Sequence, residues 1–392
     1  ALAIAALGSF FAGCVSTVMV AALGAPLTSI ALAFGPAEYF SLMVLGLVFA
    51  VVLAKGSVLK AIAMIMLGLL LSMIGSDIET GQSRMGFNIP ELADGIGFVV
   101  VAMGMFGFGE IMRNLEQSDT RDVVKAKVTG LMPTWPDLKA SAGPIGRGTA
   151  LGSILGILPG GGAVIAAFAA YTFEKKIAKD PSRFGRGAIE GVAAPESANN
   201  AAAQTSFIPL LTLGIPPNAV MALMVGAMTI HGIIPGPQVM LKQPDLFWGM
   251  IASMWIGNLM LIVINLPMIG FWVRLLRVPY RMLFPAILIF CCIGVYSINN
   301  SPTDVIMTAA FGLVGYWLVK HDFEPAPMLL GFVLGPLMEE NLRRAILIAR
   351  GDPMTFFTRP ISGGLLAVAI LLLVIAILPM IRTRREEVFV ED

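Results

Sequence analysis

The chain has 392 residues, 57% of them hydrophobic and only 13% charged, with a net charge of +1 and a mean hydropathy of +0.84. Soluble domains carry about 25% charged residues, so this composition excludes a water-soluble globular protein. The near-zero net charge offers no bulk attraction for nucleic acid. The three cysteines, Cys14, Cys291 and Cys292, lie in apolar runs and form neither a disulfide framework nor a metal spacing. The sequence carries no phosphate-binding loop, dinucleotide fingerprint or nucleophile elbow.

Apolar runs long enough for membrane helices fall at 1–23, 37–54, 58–75, 92–112, 207–235, 246–271, 282–298, 303–319, 326–342 and 361–381. The chain opens Ala-Leu-Ala-Ile, already inside the first of these and without a charged n-region, so no signal peptide is expected there. A further run, 148–173, is glycine-rich and interrupted at Pro159. Most of the 26 lysines and arginines gather in five clusters: 113–147, 175–186, 274–281, 343–359 and 382–385. Placing the first three and the last in the cytoplasm by the positive-inside rule gives a consistent path with a cytoplasmic C-terminus. On that path 148–173 enters from the cytoplasm and returns to it, as a re-entrant hairpin. The fourth cluster breaks the pattern if 326–342 is a full span.

Two internal similarities suggest a repeat. Gly8–Gly13, GSFFAG, resembles Ala252–Gly257, ASMWIG; Phe87 and Gly95 have the spacing of Phe323 and Gly331. The charge-based path runs the first matched helix outward and the second inward, so the repeats are expected to be inverted. The second repeat has about a hundred residues ahead of its ASMWIG helix and the first has none. An N-terminal block carrying a sister of the glycine-rich interruption is therefore expected to precede the first repeat. The predicted fold is an all-α polytopic membrane protein of two inverted repeats with broken or re-entrant helices, the first repeat incomplete. In chain order it divides into 1–112 (first repeat), 113–147 (cytoplasmic linker), 148–359 (second repeat), 360–381 (C-terminal helix) and 382–392 (cytoplasmic tail).

Inside this apolar chain, two segments loosen the backbone. In Gly156–Gly162, GILPGGG, Pro159 ends a helix, and Gly160, Gly161 and Gly162 permit unusual dihedrals and close approach of a ligand. The helix after them presents unpaired N–H groups with partial positive charge, a fitting place for a carboxylate. Ala194–Ala203, APESANNAAA, supplies neutral oxygens from Ser197, Asn199 and Asn200, suited to a hard cation such as Na⁺ or to polar groups of a substrate. Glu196 is open between binding a cation, carrying a proton and pairing with Arg183 or Arg186. A second interruption at Gly214, Pro216 and Pro217 would face the first and complete a paired-hairpin site, because irregular backbone at membrane depth survives only when buried or lining a cavity. The candidate substrate-binding residues are thus Pro159, Gly160, Gly161, Gly162, Ser197, Asn199, Asn200, Gly214 and Pro216. The candidates for ion coupling are Glu196, Asn199 and Asn200. Ile234–Pro237 reads as an external turn, Asn299–Ser301 with Asp304 as a turn with a helix cap, and Asn258 and Asn265 as helix-bridging residues. A channel would distribute its polar residues along a pore rather than cluster them. An intramembrane enzyme would need a nucleophile with its base, a carboxylate pair or a metal motif.

The same stretches resemble a known family. GILPGGG, AYTFEKK (170–176), FGRGAIEGVAAPESANNAAAQ (184–204), IPLLTLGIPPN (208–218), HGIIPGP (231–237) and LGFVLGPLMEENLRRA (330–345) look like the large membrane subunit of tripartite tricarboxylate transporters, the TctA family. SRMGFNIPELADGIGF (83–98), GVYSINNS (294–301), FGLVGY (311–316) and RPIS (359–362) extend the resemblance over essentially the whole chain. It implies a secondary carboxylate transporter in a bacterial inner membrane, coupled to Na⁺ or H⁺ rather than ATP. It also implies two partners, a small membrane subunit and a periplasmic solute-binding protein. The chain departs from the family in lacking its N-terminal glycine–proline block and in having Pro217–Asn218 where a glycine and a small residue are more usual.

Overall fold

The computed structural model describes residues 2–31, 33–54, 57–77, 80–93, 95–116, 133–158, 162–268, 271 and 280–377. Among them the chain is almost wholly helical. The only sheet among the described residues is a hairpin of two-residue strands, Gly75–Ser76 and Ser83–Arg84. Five helical stretches are long and apolar enough to cross a membrane: Leu2–Ser29, Phe98–Glu116, Pro244–Asn265, Pro302–Lys320 and Pro360–Ile377. Shorter apolar helices lie at Pro36–Val52, Val58–Ser72, Val220–Ile230 and Leu283–Asn299. The protein is a multi-pass, all-α membrane protein.

The contacts divide the chain into two compact units, each drawn from both halves of the sequence. The first is 1–33, 122–221 and 228–277; the second is 34–121, 222–227 and 278–392. This grouping by contact cuts across the chain-order segments above.

In the first unit, α1 (Leu2–Ala31) packs on α2 (Trp135–Ile157), α3 (Glu190–Thr205) and α4 (Pro244–Asn265). The repeat motifs GSFFAG and ASMWIG therefore fall on neighbouring helices. Gly13 lies against Asn258 and Gly24 against Phe247, so α1 and α4 run antiparallel, as an inverted repeat requires. The closest packing is between α2 and α3. Gly148, Gly152 and Gly156 face Ala194, Ala198 and Ala202, pair by pair, which makes these helices parallel. A methyl group on the three glycines would stand 2.9, 2.6 and 2.6 Å from the facing Cα atoms. Small residues four apart let two backbones approach this closely and gain dispersion along the seam, the main driving force where lipid is as apolar as leucine. A further helix, α5 (Gly162–Ile177), folds back against α2 and closes an alanine core of Ala166, Ala170, Ala194, Ala198 and Ala202.

Two sequence expectations are corrected here and one is met. Ala194–Ala203 is not broken: Pro195 sits inside the continuous helix α3, where it forgoes a single backbone bond, and Ala198, Ala201, Ala202 and Ala203, the strongest helix formers, carry the helix on. The interruption expected at Gly214, Pro216 and Pro217 is present and divides the apolar run 207–235 into two short helices, α6 (Phe207–Leu213) and α7 (Ala219–Ile230). At 1.5 Å per residue neither spans the roughly 30 Å hydrocarbon core. In the run 148–173 the structure has the helices α2 and α5 packed on one another, but the first of them starts at Trp135, where Thr134 accepts the Asp137 N–H in a capping box.

In the second unit, Val58–Ser72 packs on Pro325–Ile348, and Pro36–Leu53 on Pro360–Ile377. The expected span at 326–342 continues unbroken to Ile348, carrying Glu339–Arg344 as helix. The fourth basic cluster is largely ion-paired. Arg343 donates to Asp77 at 2.8 and 3.3 Å and to Glu339 at 2.6 Å, while Arg84 holds Glu339 through both oxygens at 2.7 and 3.2 Å. Arg344 pairs with Glu340 at 2.6 Å and Arg359 with the buried Glu38 at 2.5 Å. Ser301 caps Pro302–Lys320 through the Asp304 N–H, as expected. The expected helix at 92–112 starts later, at Phe98, because Pro90–Leu92 forms a separate turn, and it widens to a π segment at Met103–Phe108.

Candidate functional site

The candidate residues all belong to the first unit, and the structure sorts them into two places on α3. The first lies beyond its C-terminal end. Helix α2 stops at Ile157 with Leu158 extended, and α5 opens at Gly162 in a left-handed conformation, φ +61°. Pro159, Gly160 and Gly161 lie outside the described residues. Helix α6 stops at Leu213 because Gly214 is left-handed, φ +73°. A side chain there would also meet the Pro235 carbonyl at 2.7 Å, so only glycine fits. Pro216 and Pro217 are buried in the connection, and Asn218 caps α7 by accepting the Met221 N–H at 3.0 Å.

These two interruptions meet. A Cβ on Gly162 would stand 3.7 Å from Asn218 Cβ. Asn218 Nδ2 also donates to Ser206 Oγ at 3.0 Å, and Ser206 Oγ donates to the carbonyls of Gly156 at 3.2 Å and Ala202 at 2.6 Å. Gly156, Gly162, Ser206 and Asn218 thus form one cluster. The first residue of α5 and the cap of α7 are side by side. Each helix start leaves N–H groups without intrahelical partners and carries partial positive charge, so their convergence favours an anion.

The second place is the face of α3 toward α1 and α4. Asn200 Nδ2 donates to Ser9 Oγ at 2.7 Å and to the Glu196 carbonyl at 3.0 Å. Gln204 Nε2 donates to Asn258 Oδ1 at 3.2 Å, and Asn258 Nδ2 to Thr17 Oγ1 at 3.3 Å. Asn258 is therefore the helix-bridging residue the sequence suggested. Ser197 is wholly buried, and its Oγ has no hydrogen-bond partner among the described residues; the Gln204 Oε1 atom is likewise buried and unpartnered among them. Asn199 is half-buried on the same helix and joins neither network. The Glu196 carboxylate makes no ion pair among the described residues. Arg183 instead reaches Glu190, at 3.5 Å.

The structure thus brings Gly162 beside Asn218, the residue that follows the Gly214–Pro217 interruption, and places Ser197 and Asn200 elsewhere on α3. From Ser197 to Ser206 is nine residues, about 14 Å along a helix axis. Sequence reasoning missed Ser9, Gln204, Ser206 and Asn218 as polar members of these clusters. Asn218 was the most accessible, being a cap-forming residue directly before an apolar helix. Ser9 lay in view within GSFFAG but was read only as part of a repeat.

At the other end of α3 a pocket of about 430 Å³ is lined by Arg147, Glu174, Lys179, Asp180, Arg183 and Glu190 among others. Its cations and carboxylates are equal in number. Arg147 is bound to the buried Glu174 through two hydrogen bonds, at 2.6 and 2.9 Å. Burial of Glu174 against a bidentate guanidinium makes this a clamp between α2 and α5.

The profile of the family described as "Tripartite tricarboxylate transporter TctA family" matches residues 1–330. A protein of Agrobacterium vitis described as "Uncharacterized 52.8 kDa protein in TAR-I ttuC' 3'region" is 59% identical over 392 residues, taking in all of this chain and 78% of that protein. Another from Agrobacterium vitis, "Uncharacterized protein in TAR-II ttuC' 3'region", is 63% identical over 241 residues, 62% of this chain and all of that protein. No solved structure matches.

Proposed function

The chain belongs to the tripartite tricarboxylate transporter TctA family, and from that premise we propose that it is the large membrane subunit of an ion-coupled secondary carrier of tricarboxylates or related carboxylates. In this reading it works in a bacterial inner membrane with a small membrane subunit and a periplasmic solute-binding protein that delivers the substrate. The driving force is a Na⁺ or H⁺ gradient, and the chain is a carrier, not an enzyme.

The observation that supports this most is the convergence of two helix starts at Gly162 and Asn218. A carboxylate there meets unpaired backbone N–H groups from α5 and α7 and the Asn218 amide, with no need of a buried cationic side chain. Charge compensation by peptide dipoles suits a carrier, because it binds an anion without holding it as tightly as a bidentate arginine would. Pro159, Gly160 and Gly161, which precede the start of α5, remain assigned to the same site by their sequence alone. The channel alternative fits less well, since the polar side chains collect in two clusters.

The test is uptake of labelled carboxylates into proteoliposomes holding this subunit, the small subunit and the binding protein, under a Na⁺ gradient and a proton gradient applied separately. Saturable uptake with either gradient is expected. No uptake across a broad panel of tricarboxylates, dicarboxylates and aromatic carboxylates, with insertion verified, would overturn the reading.

A further inference from the structure

We propose that the seam between α1 and α3 at Gly8, Ser9, Ser197 and Asn200 is a site for a dehydrated monovalent cation, about 14 Å along α3 from the carboxylate cluster. The inference rests on the carrier reading, for which it supplies the place of the coupling ion.

Ser197 motivates it. Buried hydroxyls in helices of this unit ordinarily bond to the carbonyl four residues back: Thr17 to Gly13 at 2.8 Å, Thr149 to Ile145 at 2.7 Å, Thr205 to Ala201 at 3.0 Å and Thr212 to Ile208 at 2.7 Å. Ser197 does not, although it is 0% exposed. A buried hydroxyl without a partner is costly, which calls for a compensating ligand. Gly8, having no side chain, lets α1 come close to this hydroxyl. A methyl group there would lie 2.7 Å from Ser197 Oγ and 3.6 Å from the Ala193 carbonyl oxygen.

The chemistry of the neighbours identifies the ligand. Both hydrogens of the Asn200 amide are committed, to Ser9 Oγ and to the Glu196 carbonyl, which also fixes which end of the amide is nitrogen. That leaves the Asn200 carbonyl oxygen, the Ser197 and Ser9 hydroxyls and the Ala193 carbonyl as the available groups. They are neutral oxygens, mostly acceptors. An anion would find too few donors, and a divalent ion ordinarily recruits carboxylates. A monovalent hard cation matches the set. Gln204 Oε1, buried and unpartnered about two turns further along α3, continues the row of acceptor oxygens toward the carboxylate cluster.

The test uses the purified full chain in lipid nanodiscs, without any carboxylate. Thermal unfolding is followed in sodium chloride and in matched choline chloride. The wild-type midpoint is expected to rise saturably with Na⁺, as ligand linkage requires. Ser197→Ala removes an oxygen that has no partner among the described residues, so its midpoint in choline should be unchanged or higher, while its apparent Na⁺ affinity should fall by about tenfold or more. Gly8→Ala keeps every oxygen but fills the space, and should also lose the Na⁺ response. A wild-type protein with no Na⁺-specific shift would overturn the proposal, as would a full shift in Ser197→Ala; the hydroxyl would then face buried water alone. Carboxylate uptake driven only by protons, with no Na⁺ shift, would overturn this site and leave the carrier reading standing. A Na⁺ shift without uptake of any carboxylate would do the reverse.

Discussion

Gly152→Ala is the sharpest test of the packing that positions both clusters. The added methyl would lie 2.6 Å from Ala198 Cα and closer still to the Ala198 carbonyl oxygen, whereas ordinary contact begins at 3.4 Å, so the helices must part by more than 0.8 Å. The obstacle is backbone, which cannot rotate away as a side chain can. A gap of 0.5–1 Å forfeits about a quarter to a half of each contact's dispersion energy, and it would extend along the Gly148–Gly152–Gly156 seam. Overpacking typically costs about 1–3 kcal/mol, against which the better helix propensity of alanine returns at most about 1 kcal/mol. A net loss of about 1–2 kcal/mol is therefore expected. The control is Gly146→Ala, six residues away on the same helix, where a methyl meets nothing within 4 Å. That variant should be neutral or more stable by up to about 1 kcal/mol. Thermal unfolding of both in nanodiscs, followed by circular dichroism, decides the matter. Equal behaviour of the two variants, or a Gly152→Ala protein as stable as wild type, would refute the close-packed seam.

In the second unit, Arg343→Met should destabilise by about 2–3 kcal/mol, somewhat below the range for fully buried pairs because the arginine is one-third exposed. Asp77 is left nearly buried, with Arg84 at 3.4 Å as its remaining arginine, so adding Asp77→Leu should restore part of the loss in a denaturant melt. Asn218→Ala removes a cap worth about 1 kcal/mol. It should lower carboxylate uptake with expression unchanged, whereas unaltered uptake would remove Asn218 from the substrate site. Asp137 is held below the usual carboxylate range first by the Thr134 hydroxyl and then by the Thr134 N–H, and Asp180 likewise by Ser182. A depressed folded pKa contributes stability above the ordinary carboxylate pKa that is lost as pH falls through the lower, folded value. Hydrogen exchange at the start of α2 and at 181–183, corrected for its intrinsic pH dependence, should therefore show faster opening in acid and none of this change near neutrality.

Much of this was legible in the sequence where the signal was local. Hydropathy found the long helices, and prolines with glycines located the interruptions at 158–162 and 214–217. The errors came where one residue type has two physical uses. The run APESANNAAA was read as loosened backbone because it is small and contains proline, but small residues equally make a helix that packs closely. Nothing in that run reveals that Gly148, Gly152 and Gly156, forty-six residues earlier, supply the matching groove. Likewise, Arg343 looked like an orientation marker. Its partners Asp77 and Glu339 include one 266 residues away, a pairing that only the fold exposes. The polar clusters were half legible for the same reason: Ser197 and Asn200 stood out, while Ser9 became meaningful only once α1 was laid against α3.

Helix α3 thus serves its neighbours through two faces. Ala194, Ala198 and Ala202 lock it to α2, while Ser197, Asn200 and Gln204 turn oxygens and amides toward α1 and α4. Because the first face is backbone against backbone, it leaves α3 little freedom to slide or rotate. That restraint matters for the second face: a row of neutral oxygens binds a cation only when it cannot relax to satisfy itself, and a hydroxyl such as Ser197 would otherwise fold back onto its own helix. The seam at Gly152 should then be felt at the polar face. A variant that opens it by even 0.8 Å is expected to weaken Na⁺-dependent stabilisation more than the same loss of stability produced in the second unit by Arg343→Met. Equal weakening in both would mean that the cation response follows global stability and not the position of α3.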